Sequence, residues 1–376
     1  MSTVVVGGGL AGLSAALTLQ EAGEEVELFE GSDNIGGRVR SDFIDGFILD
    51  RGFQLINSRY PEIRRLGVLG EIDFKVADRS IDVVTPFGLT SIGDPREHPW
   101  QALRSPLGTL KEKLAVLKFL SEKPNSSISL RDALLASGTG DFYENLLVPF
   151  LRGVFLTELE NIDSAYGREI IKSLSRGQSG LPTAGIGTLS EAIAARVENI
   201  HLNQKVESLS EFDGRKIILA ADAFTTAKLL GKSAEIGFTN SFTWYHALPA
   251  GLVKSQNLRI TSALSPIINS IAISNVVKEY APQGKTLISS TSITDISDSN
   301  ALDEISKFWG IEASSFELIR RYEVKNSLPI FAPGVGVASS AHVRGDIYCA
   351  GDYMTAGSQN GALLSGRLAA LESLTR

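Results

Sequence analysis

The first thirty residues alternate between apolar runs and short turns. Residues 3–6 are apolar or β-branched throughout, which is typical of a strand buried on both faces of a parallel sheet. Apolar residues from Leu13 to Leu19 recur with helical spacing until Gly23 ends the pattern, and residues 26–29, Val-Glu-Leu-Phe, then predict a second strand. The pattern predicts a strand, a helix and a second strand in a β-α-β unit.

Later patterns predict further elements of both kinds. We expect a helix over 189–197 and a strand over 216–220 that returns to the first sheet. The alternating residues 286–293, together with Trp244-Tyr245-His246, predict strands of a second sheet. The three aromatic residues at 244–246 are also candidates for a pocket wall, although packing within the sheet is favoured.

Two apolar segments lie in the first half of the chain. One has leucines at helical spacing, at Leu110, Leu114, Leu117 and Leu120, with lysines at 111, 113 and 118 away from that line. We expect an amphipathic helix whose leucine face joins the core, in preference to docking at a membrane. The other, residues 142–156, fits the lining of a substrate tunnel and buried helix packing equally well.

Composition excludes several classes of protein. At roughly 150 residues per domain, 376 residues predict two domains, and 43% hydrophobic with 21% charged residues is ordinary for a globular chain. A net charge of -7 argues against a nucleic-acid partner, because phosphate-binding surfaces are basic. One cysteine and four scattered histidines predict no disulfide and no metal site.

The longest apolar run predicts neither a membrane span nor a signal peptide. Residues 4–19 contain four glycines and are shorter than the roughly 20 residues that a span needs. Only Met-Ser-Thr precedes the run, so it has no basic flank. We expect a cytoplasmic protein and leave peripheral contact with a membrane open.

The first turn holds a glycine pattern, G-x-G-x-x-G, at Gly7, Gly9 and Gly12. Between a strand and a helix, the first glycine permits the turn, the second lets a pyrophosphate approach the backbone, and the third lets helix and strand pack closely. The helix N-terminus favours an anion because its N–H groups are free. The pattern predicts a dinucleotide site, in preference to a glycine turn without a ligand.

A carboxylate follows the second predicted strand. Glu30 lies 18 residues after Gly12, about where an acidic side chain binds an adenosine ribose. Because this carboxylate would repel a 2′-phosphate, FAD or NAD is favoured over NADP. Gly36-Gly37-Arg38 then offers a second close backbone approach and a cation for a phosphate; taken alone, it could be a surface turn.

Together these residues resemble the opening of the flavin-containing amine oxidase and phytoene desaturase superfamily, whose members bind FAD. Segments 345–352 and 357–366 are similar to its closing strand, Gly-Asp turn and final helix. Segments 143–156 and 181–206 resemble a substrate-domain helix and the return into the FAD domain. The sharp motifs lie at the two ends of the chain and mark the cofactor more than the substrate.

The resemblance implies roles for particular residues. Asp352 should contact the ribityl or pyrophosphate part of FAD, Ala362 should lie near the flavin ring, and the Val206 backbone should hold the adenine. No catalytic residue is assigned, because the flavin is expected to be the main catalytic group. The expected cofactor-binding residues are Gly7, Gly9, Leu10, Ala11, Gly12, Glu30, Gly36, Gly37, Arg38, Phe53, Gln54, Val206, Gly351, Asp352, Gly361 and Ala362.

Two positions depart from the amine-oxidase branch. Amine oxidases typically carry an aromatic residue three positions before the glycine that matches Gly361, as one wall of a cage around the substrate amine. Here that residue is Ser358, which is more like the desaturases. No cysteine occupies the usual attachment position, so we expect non-covalent FAD and a buried core role for Cys349.

The resemblance implies an α/β, two-domain FAD-binding fold. A discontinuous Rossmann-like FAD domain would comprise 1–60, 185–240 and 330–376, and an α+β substrate domain would comprise 61–184 and 241–329. We expect removal of a hydride from a hydrophobic small molecule, by C–C desaturation or C–N oxidation, with O₂ or a quinone as electron acceptor. An FAD-dependent isomerase without net oxidation and a non-catalytic flavin- or nucleotide-binding protein stay open.

Overall fold

The computed structural model describes residues 2–262, 265–338 and 340–375. Within these ranges the strands are β1 (Thr3–Val6), β2 (Val26–Phe29), β3 (Ser41–Ile44), β4 (Phe47–Asp50), β5 (Ile56–Asn57), β6 (Phe74–Val76), β7 (Ser80–Thr85), β8 (Gly88–Gly93), β9 (Ser179–Pro182), β10 (Ile200–His201), β11 (Ile217–Leu219), β12 (Ser241–Pro249), β13 (Leu258–Thr261), β14 (Ile267–Ile271), β15 (Lys285–Ser292), β16 (Glu317–Val324), β17 (His342–Arg344) and β18 (Ile347–Cys349). The helices are α1 (Leu10–Glu21), α2 (Pro61–Leu66), α3 (Pro99–Arg104), α4 (Leu110–Ser121), α5 (Leu130–Ser137), α6 (Gly140–Phe142), α7 (Val148–Phe155), α8 (Ser164–Arg176), α9 (Gly187–Ala194), α10 (Ala223–Leu229), α11 (Ile273–Val276), α12 (Asp298–Trp309) and α13 (Gln359–Leu374).

The first sheet has six strands in the order β10-β2-β1-β11-β18-β17. All neighbours are parallel except β17, which pairs antiparallel with β18 at the edge. Helices α1 and α13 pack closely. A Cβ at Gly366 would lie 2.0 Å from the Ala11 carbonyl oxygen, so the contact leaves space for glycine alone. Parallel strands have their carboxyl ends at one edge, so the loops that follow them meet there.

The predicted N-terminal β-α-β unit is confirmed. Both strands have the expected bounds, and α1 begins at Leu10, three residues before the first residue of the apolar pattern. The predicted helix at 189–197 is α9, and the strand at 216–220 is β11 in the first sheet. Cys349 is buried at the end of β18, as expected, and burial raises the pKa of its thiol to about 11.

The second sheet has seven strands in the order β16-β12-β15-β14-β13-β7-β8. Its neighbours are antiparallel except β13 and β7. The predicted strands at 244–246 and 286–293 are confirmed as β12 and β15, which pair directly. Trp244 and Tyr245 are fully buried within this sheet. Two small sheets, β3-β4 and β5-β9-β6, complete the architecture.

The expected domain ranges stay a prediction. The strands of the first sheet come from residues 3–29, 200–219 and 342–349, and those of the second from 80–93 and 241–324. Helix α2 lies in the range expected for the substrate domain, yet Ile63 and Leu66 pack in the same core cluster as Val5 of β1.

The expected core role of the α4 leucines is wrong for three of the four, while Leu120 packs against a core cluster as expected. Leu110, Leu114 and Leu117 are 56%, 52% and 61% exposed. The buried residues of α4 are Ala115 and Phe119, on the opposite side of the helix. Phe119 is fully buried and packs in a cluster with residues of α5. Because this side of α4 is turned to the core, the three leucines on the other side face outward. Within the described ranges, no helix is long and apolar enough to cross a membrane.

Candidate functional site

A cavity of about 740 Å³ lies at the carboxyl edge of the first sheet. The residues directly after β1, β2 and β11 line it, at Gly7, Glu30 and Ala220, and so does Gly351, the second residue after β18. On the far side it reaches the second sheet at Ser241, Thr291 and Val324 and helix α7 at Gly153 and Val154. Ligands of open α/β sheets bind at this edge, so the topology itself marks the cavity as the candidate site.

The three motif glycines differ in what surrounds them. Gly7 has φ +110°, and a Cβ there would lie 2.7 Å from the Ala220 carbonyl oxygen. A Cβ at Gly12 would lie 1.8 Å from the Gly7 carbonyl oxygen, so helix and turn pack without space for a side chain. A Cβ at Gly9 would meet no atom within 4 Å. Gly9 is therefore the motif glycine whose missing side chain leaves open space in the cavity.

The N-terminus of α1 faces this space without a side-chain cap. Its N-cap is Gly9, and the first turn contains no acidic residue. Gly9, Leu10 and Ala11 line the cavity. The first N–H groups of a helix have no intrahelical partner and carry a partial positive charge, so this end can bind an anion.

The second glycine pair lies beside the first turn. Gly36 N–H donates to the Gly8 carbonyl oxygen at 2.8 Å. Gly36 and Gly37 have φ of +105° and +57°, a region of backbone conformation that favours glycine. Both line the cavity, so the backbone of a second glycine turn faces it beside the first turn.

Glu30 is held by the backbone of two turns. Its Oε2 accepts from Gly8 N–H at 2.7 Å and its Oε1 from Ser32 N–H at 2.8 Å. A carboxylate has about four lone-pair sites, so each oxygen retains capacity for a further donor. Gln204, Lys205 and Val206 line the cavity with it. This end of the cavity can therefore accept hydrogen bonds from ligand hydroxyls.

Arg38 and Asp352, which both line the cavity, form an ion pair. Arg38 Nη2 donates to Asp352 Oδ1 at 2.7 Å, and Nη1 donates to the Ser327 carbonyl oxygen. Asp352 is buried and the Arg38 side chain is 40% exposed. Gln54 Nε2 donates to the Arg38 carbonyl oxygen at 2.8 Å, which adds the Phe53-Gln54 segment to this wall.

The start of α13 forms the wall beside this pair. Ser358 is the N-cap, and its Oγ accepts from Gly361 N–H at 3.0 Å. A Cβ at Gly361 would lie 1.9 Å from the Ala356 carbonyl oxygen, which explains the glycine. The serine found in place of an aromatic residue thus begins the helix, and Ser358, Gln359 and Ala362 line the cavity.

The distal wall combines apolar and polar surfaces. Gly153, Val154 and Leu156 contribute the end of α7. Thr291 of β15 pairs with Thr243 of β12 on one side and with Asn269 of β14 on the other. In this row both threonine Oγ1 atoms and Asn269 Oδ1 are buried without a hydrogen-bond partner.

Most of the predicted cofactor residues meet in one place. Two of them, Gly12 and Gly361, lie behind the cavity surface and act through close packing. Those that line the cavity are Gly7, Gly9, Leu10, Ala11, Glu30, Gly36, Gly37, Arg38, Phe53, Gln54, Val206, Gly351, Asp352 and Ala362. Their role in binding stays a prediction.

Sequence reasoning missed two loops. Residues 221–223 follow β11, and 325–328 follow β16; both line the cavity. The first could have been found, because 216–220 was predicted as a strand of the same sheet and ligands bind beyond strand ends. Trp244, Tyr245 and His246 do not line the cavity, and burial lowers the pKa of His246 to about 4. Within the described ranges, no group of three or more His, Cys, Asp or Glu residues is placed to hold a metal ion.

Comparisons with known proteins identify the family to which the chain belongs. Residues 10–228 match the family described as flavin containing amine oxidoreductase. Polyamine oxidase 2 of Arabidopsis thaliana is 44% identical over 73 residues, which are 18% of this chain and 15% of that protein. Protoporphyrinogen oxidase 2 of the same plant is 24% identical over 200 residues, 45% of this chain and 38% of that protein. The matched segments thus span well under two thirds of these relatives.

A solved structure is similar over the whole fold. An oxidoreductase from Methanosarcina mazei superposes with a TM-score of 0.74 at 18% identity, covering 100% of both chains. At this identity the likeness concerns the fold alone. The two-sheet architecture is therefore one that other solved proteins share.

Proposed function

Because the chain belongs to the flavin-containing amine oxidoreductase family, we propose that it is an FAD-dependent oxidoreductase acting on a hydrophobic small molecule. The observation that carries this proposal is the cavity at the carboxyl edge of the first sheet. It joins an uncapped helix N-terminus, two glycine turns and a carboxylate at the end of β2. These are the parts that a dinucleotide requires.

The residues present fit non-covalent FAD. In this proposal Glu30 accepts hydrogen bonds from the ribose, and the N-terminus of α1 binds the pyrophosphate. Asp352 accepts from ribityl hydroxyls, and Arg38 orients Asp352 through their ion pair. The start of α13 stabilises negative charge that develops on the ring. Bound FAD supplies the acceptor for a hydride.

The walls around the substrate support a molecule that is largely apolar. Val154 and Leu156, at the end of α7, line the cavity and offer apolar contact. A Cβ at Gly153 would lie 2.8 Å from Asn269 Nδ2, so α7 lies directly over the polar row. We infer that the bound substrate displaces water from this space. It is then oxidised at a C–C bond, by desaturation, or at a C–N bond. O₂ or a quinone is the proposed electron acceptor.

The proposal also covers where the protein acts and how the substrate reaches it. A poorly water-soluble substrate is most available at a lipid surface, so we propose peripheral membrane contact for a cytoplasmic protein. The contact requires no spanning helix.

Anaerobic reduction tests the proposed activity. Oxidised protein is mixed without O₂ with polyenes, lipids and amines, and the visible flavin bands are followed. We expect one class to bleach the bands and to yield a product lighter by two hydrogen atoms. If none does, while pre-reduced protein converts a compound into a product of equal mass, the chain is an isomerase and the proposal fails.

A further inference from the structure

The outer face of α4 is apolar although it faces solvent. Leu110, Leu114 and Leu117 recur at intervals of four and three residues, which places them on one side of the helix. All three are more than half exposed. A capping box between Thr109 and Glu112 begins the helix, and Phe119 anchors its inner face. The leucines are therefore held outward on an ordered helix.

Helix α3 lies beside α4 and also carries exposed apolar side chains. Lys113 Nζ donates to the carbonyl oxygens of Ala102 and Ser105, at 3.0 and 2.8 Å, which holds the end of α3 beside α4. On α3, Trp100 and Leu103 are 68% and 51% exposed. We define the outer surface by these residues of both helices, Trp100, Leu103, Leu110, Leu114 and Leu117.

Basic residues border the outer surface. Lys111 and Lys118 each follow a leucine by one position, about 100° around the helix, so they lie at the edge of the leucine face. Residues 99–123 contain five Lys or Arg and two Glu, whereas the whole chain has a net charge of -7. One of the two acidic side chains, Glu112, is turned to backbone N–H groups of Thr109 and Asp141. The local charge is positive on an acidic molecule.

We propose that the outer surface docks on an anionic phospholipid bilayer. Leucines and a tryptophan that face outward, with lysines at their border, are the arrangement of a helix that lies in a membrane interface. Anionic headgroups complement the lysines, while the acidic remainder of the chain is repelled, so the protein is oriented with α3 and α4 toward the lipid. A second copy of this chain would bring like charges together, which argues against a dimer through this face.

The chain segment that follows α4 connects the outer surface with the cavity lining. Helix α4 joins α6 through the hydrogen bond from Asp141 N–H to Glu112 Oε1, at 2.9 Å. A π-helical turn, Tyr143–Leu147, continues from α6 into α7, whose end lines the cavity. The inference gives the proposed membrane contact a defined surface. It can be tested without flavin chemistry, so it can fail while the proposed activity holds, and the reverse.

Tryptophan fluorescence provides a local probe. Of the three tryptophans only Trp100 is exposed, since Trp244 and Trp309 are buried. On adding vesicles of phosphatidylcholine with about 30 mol% phosphatidylglycerol, we expect a blue shift of emission. The shift should vanish in Trp100→Phe, which keeps an aromatic ring. An unshifted spectrum, or a shift that persists in this variant, would overturn the proposal.

Vesicle sedimentation tests the two components separately. Leu114→Ser with Leu117→Ser should weaken binding at least tenfold, about as expected for two buried leucines. Lys111→Glu with Lys118→Glu should weaken binding to the anionic vesicles and leave the weaker binding to pure phosphatidylcholine unchanged.

The matched control is Leu252→Ser. This leucine is 51% exposed and lies in the loop that follows β12. It should bind as the unchanged protein does, and thermal unfolding should show that all variants fold, since every altered side chain is exposed. Equal loss in the control would contradict the assignment of the surface. A leucine variant that binds vesicles normally but changes molecular mass in light scattering would replace the bilayer with a second copy.

Discussion

Glu30 connects the backbone of two turns with the space where a ribose is expected. Both of its oxygens accept backbone N–H groups, from Gly8 and Ser32. The side chain is therefore oriented before any ligand arrives, which lowers the entropic cost of binding. The Gly36-Gly37 turn lies close by, because Gly36 N–H donates to the carbonyl oxygen of Gly8.

Glu30→Gln tests this orientation. Glutamine has one carbonyl oxygen in place of two carboxylate oxygens, so one backbone N–H loses its acceptor and a donor faces the ribose. We expect FAD binding to weaken by about 1–3 kcal/mol, which is roughly 5- to 150-fold in Kd. Flavin retained after equilibrium dialysis measures the change. The control is Glu25→Gln on the surface; equal affinity in the two variants would remove Glu30 from the site.

Asp50 is a buried carboxyl group outside the cavity. Ser41 Oγ at 2.6 Å and Ile186 N–H donate to its Oδ1, and the Tyr280 hydroxyl donates to Oδ2. Burial raises its pKa to about 6, from 3.8. Because the native state keeps a proton that the unfolded chain has released, this group's contribution to stability is complete below about pH 4 and is lost as pH rises through 6.

Asp50→Asn should reveal this dependence. Relative to the unchanged protein, the variant should gain up to about 3 kcal/mol in unfolding free energy between pH 4 and pH 7. Urea unfolding across this range measures the difference. The variant is compared with the unchanged protein at each pH because His246 also titrates in this range. Its pKa is lowered to about 4 by burial, so its contribution to stability rises with pH.

Asp73→Asn is the matched control for this measurement. Asp73 is exposed, and its pKa is lowered by the hydrogen bond from Lys75. The Asp73 variant should therefore lack the relative gain toward neutral pH. A pH-independent difference in the Asp50 variant would mean that Asp50 is ionised throughout in the native state.

Among the helices and strands, the sequence pattern predicted those whose bounds depend on residues adjacent in sequence. The bounds of β1 follow from a β-branched run and those of β2 from a short, mainly apolar segment between turns, and the glycine motif lies where a strand meets a helix. The leucine face of α4 could not be predicted this way. Two apolar lines run along that helix, and Phe119 is the buried one because α5 supplies its partners, Leu130 and Leu134.

Gly9→Ala tests the first turn as an element. Gly9 has φ -74°, which any residue adopts, and an added Cβ would meet no protein atom within 4 Å. We therefore expect Tm of the flavin-free protein to stay within about 2 °C, while the methyl group occupies space for the pyrophosphate and lowers FAD affinity at least tenfold.

The control for the turn is Gly70→Ala, which also meets no atom within 4 Å but lies outside the cavity lining. Its FAD affinity should be unchanged. Normal affinity in Gly9→Ala as well would show that no phosphate lies against this turn.

For the whole molecule, the two-sheet α/β fold was predictable from motifs at both ends of the chain. The pairing of Arg38 with Asp352 was not, because 314 residues separate them and no local period links the two. The polar row of Thr243, Thr291 and Asn269 was also missed, since it forms only when three strands align. The residues proposed to bind FAD follow from local turn motifs, whereas the proposed substrate wall depends on how strands distant in sequence align.

The visible spectrum of freshly purified protein tests the central claim most directly. The claim is that the cavity at the carboxyl edge of the first sheet holds FAD without a covalent bond. We predict the absorption bands of an oxidised flavin and the release of about one FAD per chain on denaturation without proteolysis. A colourless protein that also fails to take up added FAD, or a flavin that stays with the denatured chain, would contradict the account.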